Sequence, residues 1–273
     1  MQLKTTELES FAKNRRLELY TAIVIPGGSG ICNVDSGMYP FSGPSVLFLA
    51  PFQSLRISGA SRVMGEVLQF HGDFYCIELH KPEVACNGLL FNNVYLSPVL
   101  TVSRTELAQI QELLRSVTVE LNLKDQDGSV LISYLQLFLA VCSRIKRAQI
   151  EQSSLSFGKD DEMERLKALV DAHFLTTRRP SEYAKLLNVT TDSLAKRCRK
   201  YFAKSPSQLI QERTALEAKK RLHLTRQSVK EIAFSLQFED EHYFSRFFKK
   251  ACGVSPQAFR KKSGISPVAD LST

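Results

Sequence analysis

Between Leu17 and about Leu96 the apolar residues come in short runs, at 17–25, 45–51, 63–70 and 74–79, rich in β-branched and aromatic side chains. Clusters of turn formers separate them: Pro26-Gly27-Gly28-Ser29-Gly30, Ser42-Gly43-Pro44 and His71-Gly72-Asp73. Short strands bounded in this way predict an antiparallel β sandwich or small barrel. From Arg104 the period lengthens. Leu107, Ile110, Leu113, Leu114 and Val117 recur at helical spacing, and after the polar stretch 124–128 a second helix is expected over 129–148. Leu131, Leu135, Phe138, Leu139 and Cys142 form its apolar face. Ile132, Leu137 and Val141 widen that face nearly all round, so the helix is expected to be buried on several sides or to form a subunit interface. The longest apolar run, 130–142, is interrupted by Ser133 and Gln136 and falls short of the ~20 residues that span a bilayer.

Residues 151–160 have no period and few apolar side chains, which predicts an interdomain linker. Beyond it the chain reads as short helices with clear starts. Met163, Leu166, Val170 and Phe174 make one stripe; Pro180, Ser205-Pro206 and Ser255-Pro256 open further helices, and Ser228-x-x-Glu231 is a capping box. This half repeats itself. Ala184-x-x-Leu187-x-Val189 matches Ala233-x-x-Leu236-x-Phe238 at an offset of 49, and the stretch from Leu194 to Ser205-Pro206 matches Phe244 to Ser255-Pro256 at an offset of 50. Each copy is a short helix, a tight turn and a second helix, with Thr190 and Asp240 at the expected N-caps: a helix-turn-helix. The helix between the copies, from Pro206 to about Leu224, should be about 28 Å long at 1.5 Å per residue, which could set two recognition helices about one turn of B-DNA apart, near 34 Å.

Charge strengthens that reading. The 273 residues carry +8, yet residues 1–159 hold 14 basic and 14 acidic groups, whereas 178–262 hold 20 against 8. A neutral half joined to a strongly basic half points to a polyanion, nucleic acid before an anionic membrane. On the second helix of the first copy, Leu194, Cys198 and Tyr201 or Phe202 are expected to face the core, leaving Asp192, Ser193, Ala195, Lys196 and Arg199 outward. On the second copy Phe244, Phe247 and Phe248 face inward, and Glu241, His242, Ser245, Arg246 and Lys249 outward. Lys196 and Arg246 are equivalent, and the fork of Arg246 suits guanine O6 and N7. Arg199, Lys200, Lys204, Lys249, Lys250, Arg260, Lys261 and Lys262 suit phosphates, which give affinity with little sequence information.

Other chemistries find little support. Gly27-Gly28-Ser29-Gly30 lacks the frame of a phosphate loop and reads as a hairpin turn. His71 and His80 lack the H-x-H and carboxylate spacing of a metal site, and Glu239-Asp240-Glu241 is explained by a helix cap and its dipole. The six cysteines lie at least ten residues apart with no C-x-x-C, so they are read as reduced, buried thiols, and no catalytic constellation, metal or cofactor is expected. Glu7, Glu9, Lys13, Arg15 and Arg16 interrupt any secretory h-region, and a cytoplasmic location is expected.

These residues carry a resemblance. Val229-Lys230-Glu231-Ile232-Ala233 to Phe238, Tyr243-Phe244-Ser245-Arg246-Phe247-Phe248-Lys249-Lys250, Gly253-Val254-Ser255-Pro256 and Phe259-Arg260 follow the pattern of the DNA-binding domain of the AraC/XylS family of bacterial transcription regulators, and the similarity extends over about 163–262. The first copy departs from it at Cys198, where a large apolar residue is usual, and at Ala203, where glycine is usual. The layout of the N-terminal half resembles the cupin-like sensor and dimerisation part of such regulators. The resemblance implies an α+β chain: residues 1–158 a cupin-like antiparallel β sandwich or barrel plus two helices, and residues 159–273 an all-α domain with two helix-turn-helix motifs joined by a linker helix. It implies a sequence-specific regulator that binds double-stranded DNA through two adjacent major-groove segments. RNA polymerase, a small-molecule effector and a second copy of the chain are the further partners it brings into view, and a membrane is not among them. The rival readings are a small-molecule-binding or enzymatic barrel with a DNA-binding appendage, which predicts a reactive low-pKa cysteine or a metal, and an RNA-binding or architectural protein.

Overall fold

The computed structural model describes residues 1–60, 62–72, 74–75, 88–157 and 160–265. It divides into two compact units, Met1–Asn93 with Ser97–Ser154, and Val94–Leu96 with Leu155–Thr273.

The described residues of the first unit form β1 (Gln2–Glu7), β2 (Arg15–Arg16), β3 (Tyr20–Ile25), β4 (Ser29–Val34), β5 (Gly37–Ser42), β6 (Ser45–Leu49), β7 (Ser54–Ser58), β8 (Met64–Phe70) and β9 (Val99–Thr101). Two antiparallel sheets result, ordered β1-β8-β3-β6-β9 and β2-β7-β4-β5. At the centre of the first, Ala22 lies opposite Phe48 of β6 and Leu68 of β8. Side chains alternate between faces along a strand. This register gathers Ala22, Val24, Val46, Phe48, Leu68 and Phe70 on one face, where they join a single core with α1 (Arg104–Leu121) and α2 (Gly128–Phe157). Ile23, Ile25, Leu47, Leu49 and Val67 take the other parity and are buried as well. A sheet covered on both faces leaves a continuous apolar run in the sequence rather than an alternating one.

Helix α1 starts at a capping box. Ser103 Oγ accepts from the Glu106 N–H, and the Glu106 carboxylate accepts from the Ser103 N–H at 2.7 Å. Helix α2 is long and apolar enough to cross a membrane by length and composition alone. Its Leu131, Leu135, Phe138, Leu139, Cys142 and Ile145 are instead packed in the core beside Ile110, Leu114 and Val117 of α1.

Several features differ from expectation. The β4–β5 hairpin and strands β1, β2, β7 and β9 lie outside the apolar runs that predict strands. In β4 the reason is Gly30, which reads as a turn former but stands inside the strand. A Cβ there would fall 2.6 Å from the Ser58 carbonyl oxygen and 2.9 Å from the Phe41 ring, so glycine serves a close approach within the sheet. Phe74 and Tyr75 lie in a turn after β8 rather than in a strand, and the rest of 74–79, with His80, falls outside the described residues. Residues 151–157, expected as a linker, continue α2 to Phe157. Solvent-facing Glu151 and Gln152 need no apolar stripe to remain helical.

One buried charge makes the first unit sensitive to pH. Lys146 of α2 is buried and donates to the carbonyl oxygens of Ser97 (2.8 Å) and Val99 (3.1 Å), tying the helix to β9 and the segment before it. Burial lowers its pKa from 10.5 to about 8. Between those values the unfolded chain binds more protons than the folded one. The stabilisation from deprotonating Lys146 is therefore full above 10.5 and lost as pH falls through about 8, an amplitude on the order of 3 kcal/mol. A neutral amine still offers two N–H groups to the two carbonyls. Urea unfolding of the first unit's transition at pH 8 and pH 10 should show wild type gaining relative to Lys146→Met over this range; equal slopes would refute it.

In the second unit the helices are α3 (Asp161–His173), α4 (Pro180–Leu186), α5 (Thr191–Phe202), α6 (Pro206–Leu224), α7 (Val229–Ser235), α8 (Glu241–Cys252) and α9 (Pro256–Ser263). Three of the expected starts carry a side-chain cap: Ser205 and Ser228 form capping boxes with Gln208 and Glu231, and Ser255 accepts from the Ala258 N–H; the helix opened by Pro180 has none.

Candidate nucleic-acid interface

The pairs α4–α5 and α7–α8 are built alike down to the backbone. In each turn one non-glycine residue adopts the left-handed conformation, Asn188 at φ 57° and Gln237 at φ 58°. The N–H of Val189 then closes on Ala184 O at 2.9 Å, and that of Phe238 on Ala233 O at 3.0 Å. Ala184 and Ala233 are buried where the helices approach, and Phe238 is buried beneath the second turn while Val189 is partly so beneath the first. The next helix begins at Thr190, which accepts from the Ser193 N–H, and at Asp240, which accepts from the Tyr243 N–H at 2.7 Å.

Along α5, Leu194, Cys198 and Phe202 are buried; along α8, Phe244, Phe248 and Cys252 are. Tyr201 turns outward and donates its hydroxyl to Glu164 (2.8 Å), and Phe247 is half-buried against Phe238. The other face carries the residues named from sequence. Asp192, Ser193, Lys196, Arg199 and Lys200 on α5, and His242, Arg246, Lys249 and Lys250 on α8, are exposed; Ala195, Ser245 and Glu241 are half-buried. Lys196, Arg199 and Lys200 occupy the same three positions as Arg246, Lys249 and Lys250, so both helices present the same basic trio. The Arg246 guanidinium stands 6.0 Å from the Tyr243 ring centroid.

Two residues expected on phosphates are engaged elsewhere. Lys204 is only 5% exposed, and its Nζ donates to Glu212 (2.7 Å) and Val94 O (2.8 Å). Arg260 donates to the carbonyl oxygens of Leu222 (3.1 Å) and Gln227 (2.6 Å), and burial lowers its pKa. Arg197, which the sequence reading passed over, is held by Asp160 and Glu162 at the start of α3. The signal that separates these from the exposed trio lay in the repeat. Arg197, Lys204 and Arg260 align with Phe247, Val254 and Ile210, whereas every member of the trio aligns with another base. A cation opposite an apolar counterpart occupies an inward position and is there to be paired.

The frame behind the two faces is polar as well as apolar. Asp171 of α3 accepts from Arg213 Nε of α6 (2.7 Å) and from the Tyr95 hydroxyl (3.0 Å). The Arg213 guanidinium lies 4.1 Å from the Phe174 ring centroid. Burial, with the nearby Asp171 charge, raises the Tyr95 pKa, so its hydroxyl stays a donor.

The copies differ at their C-caps. After α8, Gly253 takes φ 77°; after α5 the same left-handed position is held by Ala203 at φ 58°. A Cβ there costs about 1–2 kcal/mol, partly offset by the greater freedom glycine has in the unfolded chain, so Ala203→Gly should stabilise the second unit by about 0.5–1 kcal/mol in urea unfolding. Equal or lower stability would show that the position is unstrained. Cys198 packs at the site filled by Phe248 in the other copy, and burial pushes its thiol up to about 12, the opposite of a reactive cysteine. Cys32 is likewise pushed up to about 12. Among the described residues no group of His, Cys, Asp and Glu side chains could hold a metal ion.

Comparison with known proteins places the repeat. A helix-turn-helix domain family matches residues 183–262. No curated protein matches the chain. Among solved structures, an apo variant of ToxT from Vibrio cholerae is 17% identical, covering 96% of this chain and 97% of its own, with a TM-score of 0.43. The C-terminal domain of AraT, a response regulator from Geobacillus stearothermophilus, is 29% identical over 39% of this chain and 88% of its own, TM-score 0.37. A transcriptional regulator with an AraC-type DNA-binding domain from Chromobacterium violaceum is 19% identical over 39% and 96%, TM-score 0.36.

Proposed function

We propose that the chain is an AraC-type DNA-binding transcription regulator, whose helix-turn-helix domain over residues 183–262 reads two adjacent major-groove segments of duplex DNA, one with α5 and one with α8. The observation that carries this reading is the matched basic trio on two helices that follow turns of the same backbone construction, joined by the 19-residue helix α6. At about 1.5 Å per residue α6 is about 28 Å long, commensurate with one turn of B-DNA. Arg246 and Lys196 approach base edges, with Ser193, Ala195, Asp192 and, on α8, His242, Ser245 and Glu241 around them. Arg199, Lys200, Lys249 and Lys250 meet phosphates.

The first unit, in this reading, is the regulatory and dimerising part, and the regulator works in the cytoplasm, where a bacterial genome lies. Val119 and Leu123, at and just beyond the end of α1, and Leu137 of α2 remain exposed apolar residues that a second copy could cover. Sedimentation equilibrium should show association that Leu137→Lys weakens; a monomer mass at every concentration removes the dimer. DNA reading is tested by offering the chain a random duplex pool and single-stranded RNA at one salt concentration. Enrichment of a bipartite duplex motif supports it. Preferential RNA binding contradicts it.

A further inference from the structure

Two helix-turn-helix modules read DNA as one site only if their separation and relative rotation are fixed. Inserting one base pair between two half-sites moves the second by about 3.4 Å along the axis and about 35° around it. Helix α6 supplies the covalent connection, but it ends at Leu224, and the chain is then extended at Thr225 and at Ser228 before α7 begins. Arg260 of α9 holds both sides of this stretch, Leu222 and Gln227, within the second module, and a further connection comes from the first module.

Arg178 stands between α3 and α4 and belongs by sequence to the first module. Its side chain ends in the second. Nη2 donates to Leu236 O at 2.7 Å and to Gln237 O at 3.3 Å, and the guanidinium lies over the Phe238 ring, 3.9 Å from its centroid. Those three residues are the turn of the second helix-turn-helix, including its left-handed Gln237. Phe238 in turn packs on Phe244 and Phe247 of α8, so the guanidinium rests on the platform that seats the second recognition helix. The root of the brace is also fixed, because the buried Tyr183 of α4 donates its hydroxyl to Thr177 O, one residue before Arg178 (2.8 Å). A planar guanidinium that bonds two neighbouring carbonyls through one nitrogen while its plane stacks on a ring fixes direction as well as distance, which a lysine ammonium, with no plane to stack, does not.

We propose that Arg178 is a positioning residue that sets the spacing between the two DNA half-sites by locking the turn of the second helix-turn-helix to the first module. The proposal rests on the two-groove reading above. Arg178 touches no base, so its loss should leave the base preferences within each half-site intact and relax only the spacing between them.

The test uses the full chain. A motif is selected from random duplexes with wild type, and synthetic duplexes then carry its two halves with one or two base pairs added or removed. For wild type, one inserted pair should weaken binding at least about 10-fold, since a rigid reader cannot follow a rotation of about 35°. Arg178→Met keeps the aliphatic stem and removes the hydrogen bonds. It should bind the best duplex about 5–10-fold less tightly, the loss of charge-assisted hydrogen bonds to two carbonyls, with the one-pair penalty cut to under about 3-fold. If Arg178→Met does not fold, Arg178→Lys is scored by the same ratio and should fall between the two. A penalty that stays at the wild-type value, whether affinity is unchanged or lower on every duplex alike, overturns the brace. If wild type itself selects a single half-site or no duplex motif, the two-groove reading fails first and the brace falls with it; failure of the brace alone leaves the wild-type bipartite motif and its sharp spacing in place.

Discussion

Phe248→Ala is expected to destabilise the second unit by about 3–5 kcal/mol. The Phe248 ring is fully buried and contacts Phe244 (5.9 Å between centroids) and Phe259 (5.5 Å), so truncation opens a cavity shared by α8 and α9. Cys198 occupies the same position in the first copy, and Cys198→Ala removes only one sulfur atom, a loss of about 1 kcal/mol. Urea unfolding followed by circular dichroism measures both. DNA binding by the Phe248 variant should fail at temperatures where the Cys198 variant still binds. Comparable destabilisation by the two would mean that the copies do not share the packing their alignment implies.

Arg246→Ala should cost about 1–3 kcal/mol on a selected duplex and relax the preference at one base position, whereas Lys250→Ala should weaken all sequences alike and reduce the salt dependence by about one phosphate contact. The contrast follows from position on the helix. Arg246 lies on the face that would enter the groove, and its fork can bond both O6 and N7 of a guanine. Lys250 lies a turn further on, in the last turn of α8, where a point charge would meet a phosphate and read nothing. Competition binding against all single-base variants of the selected duplex separates the outcomes. An unchanged base profile for Arg246→Ala would reassign the groove-facing residues of α8.

The second unit was legible because its rules are local. Caps at Thr190, Ser205, Ser228, Asp240 and Ser255, prolines at first helical positions and a repeat at offsets of 49 and 50 all signal short helices within a few residues, and each was found in place. The sheets were less so. Their order, with β1 beside β8 and β9 beside β6, joins residues more than fifty positions apart and leaves no mark in a local window. Gly30 and Pro40 stand within the β4–β5 hairpin, where both residues suggest turns. For the interface, outward positions followed from the helical period. What the period alone could not separate was a cation bound for DNA from one already paired in the protein, as at Arg197, Lys204 and Arg260. Arg178 was beyond reach for another reason: its partners are backbone carbonyls 58 and 59 residues away, and backbone acceptors have no sequence signature.

Purine methylation interference on the selected duplex tests the central claim most directly, because N7 lies in the major groove. If α5 and α8 occupy successive grooves, interference falls in two clusters about ten base pairs apart on one face of the duplex, with the Arg246→Ala and Lys196→Ala variants each losing sensitivity in a different cluster. A single cluster, or two clusters that both variants weaken equally, would contradict it.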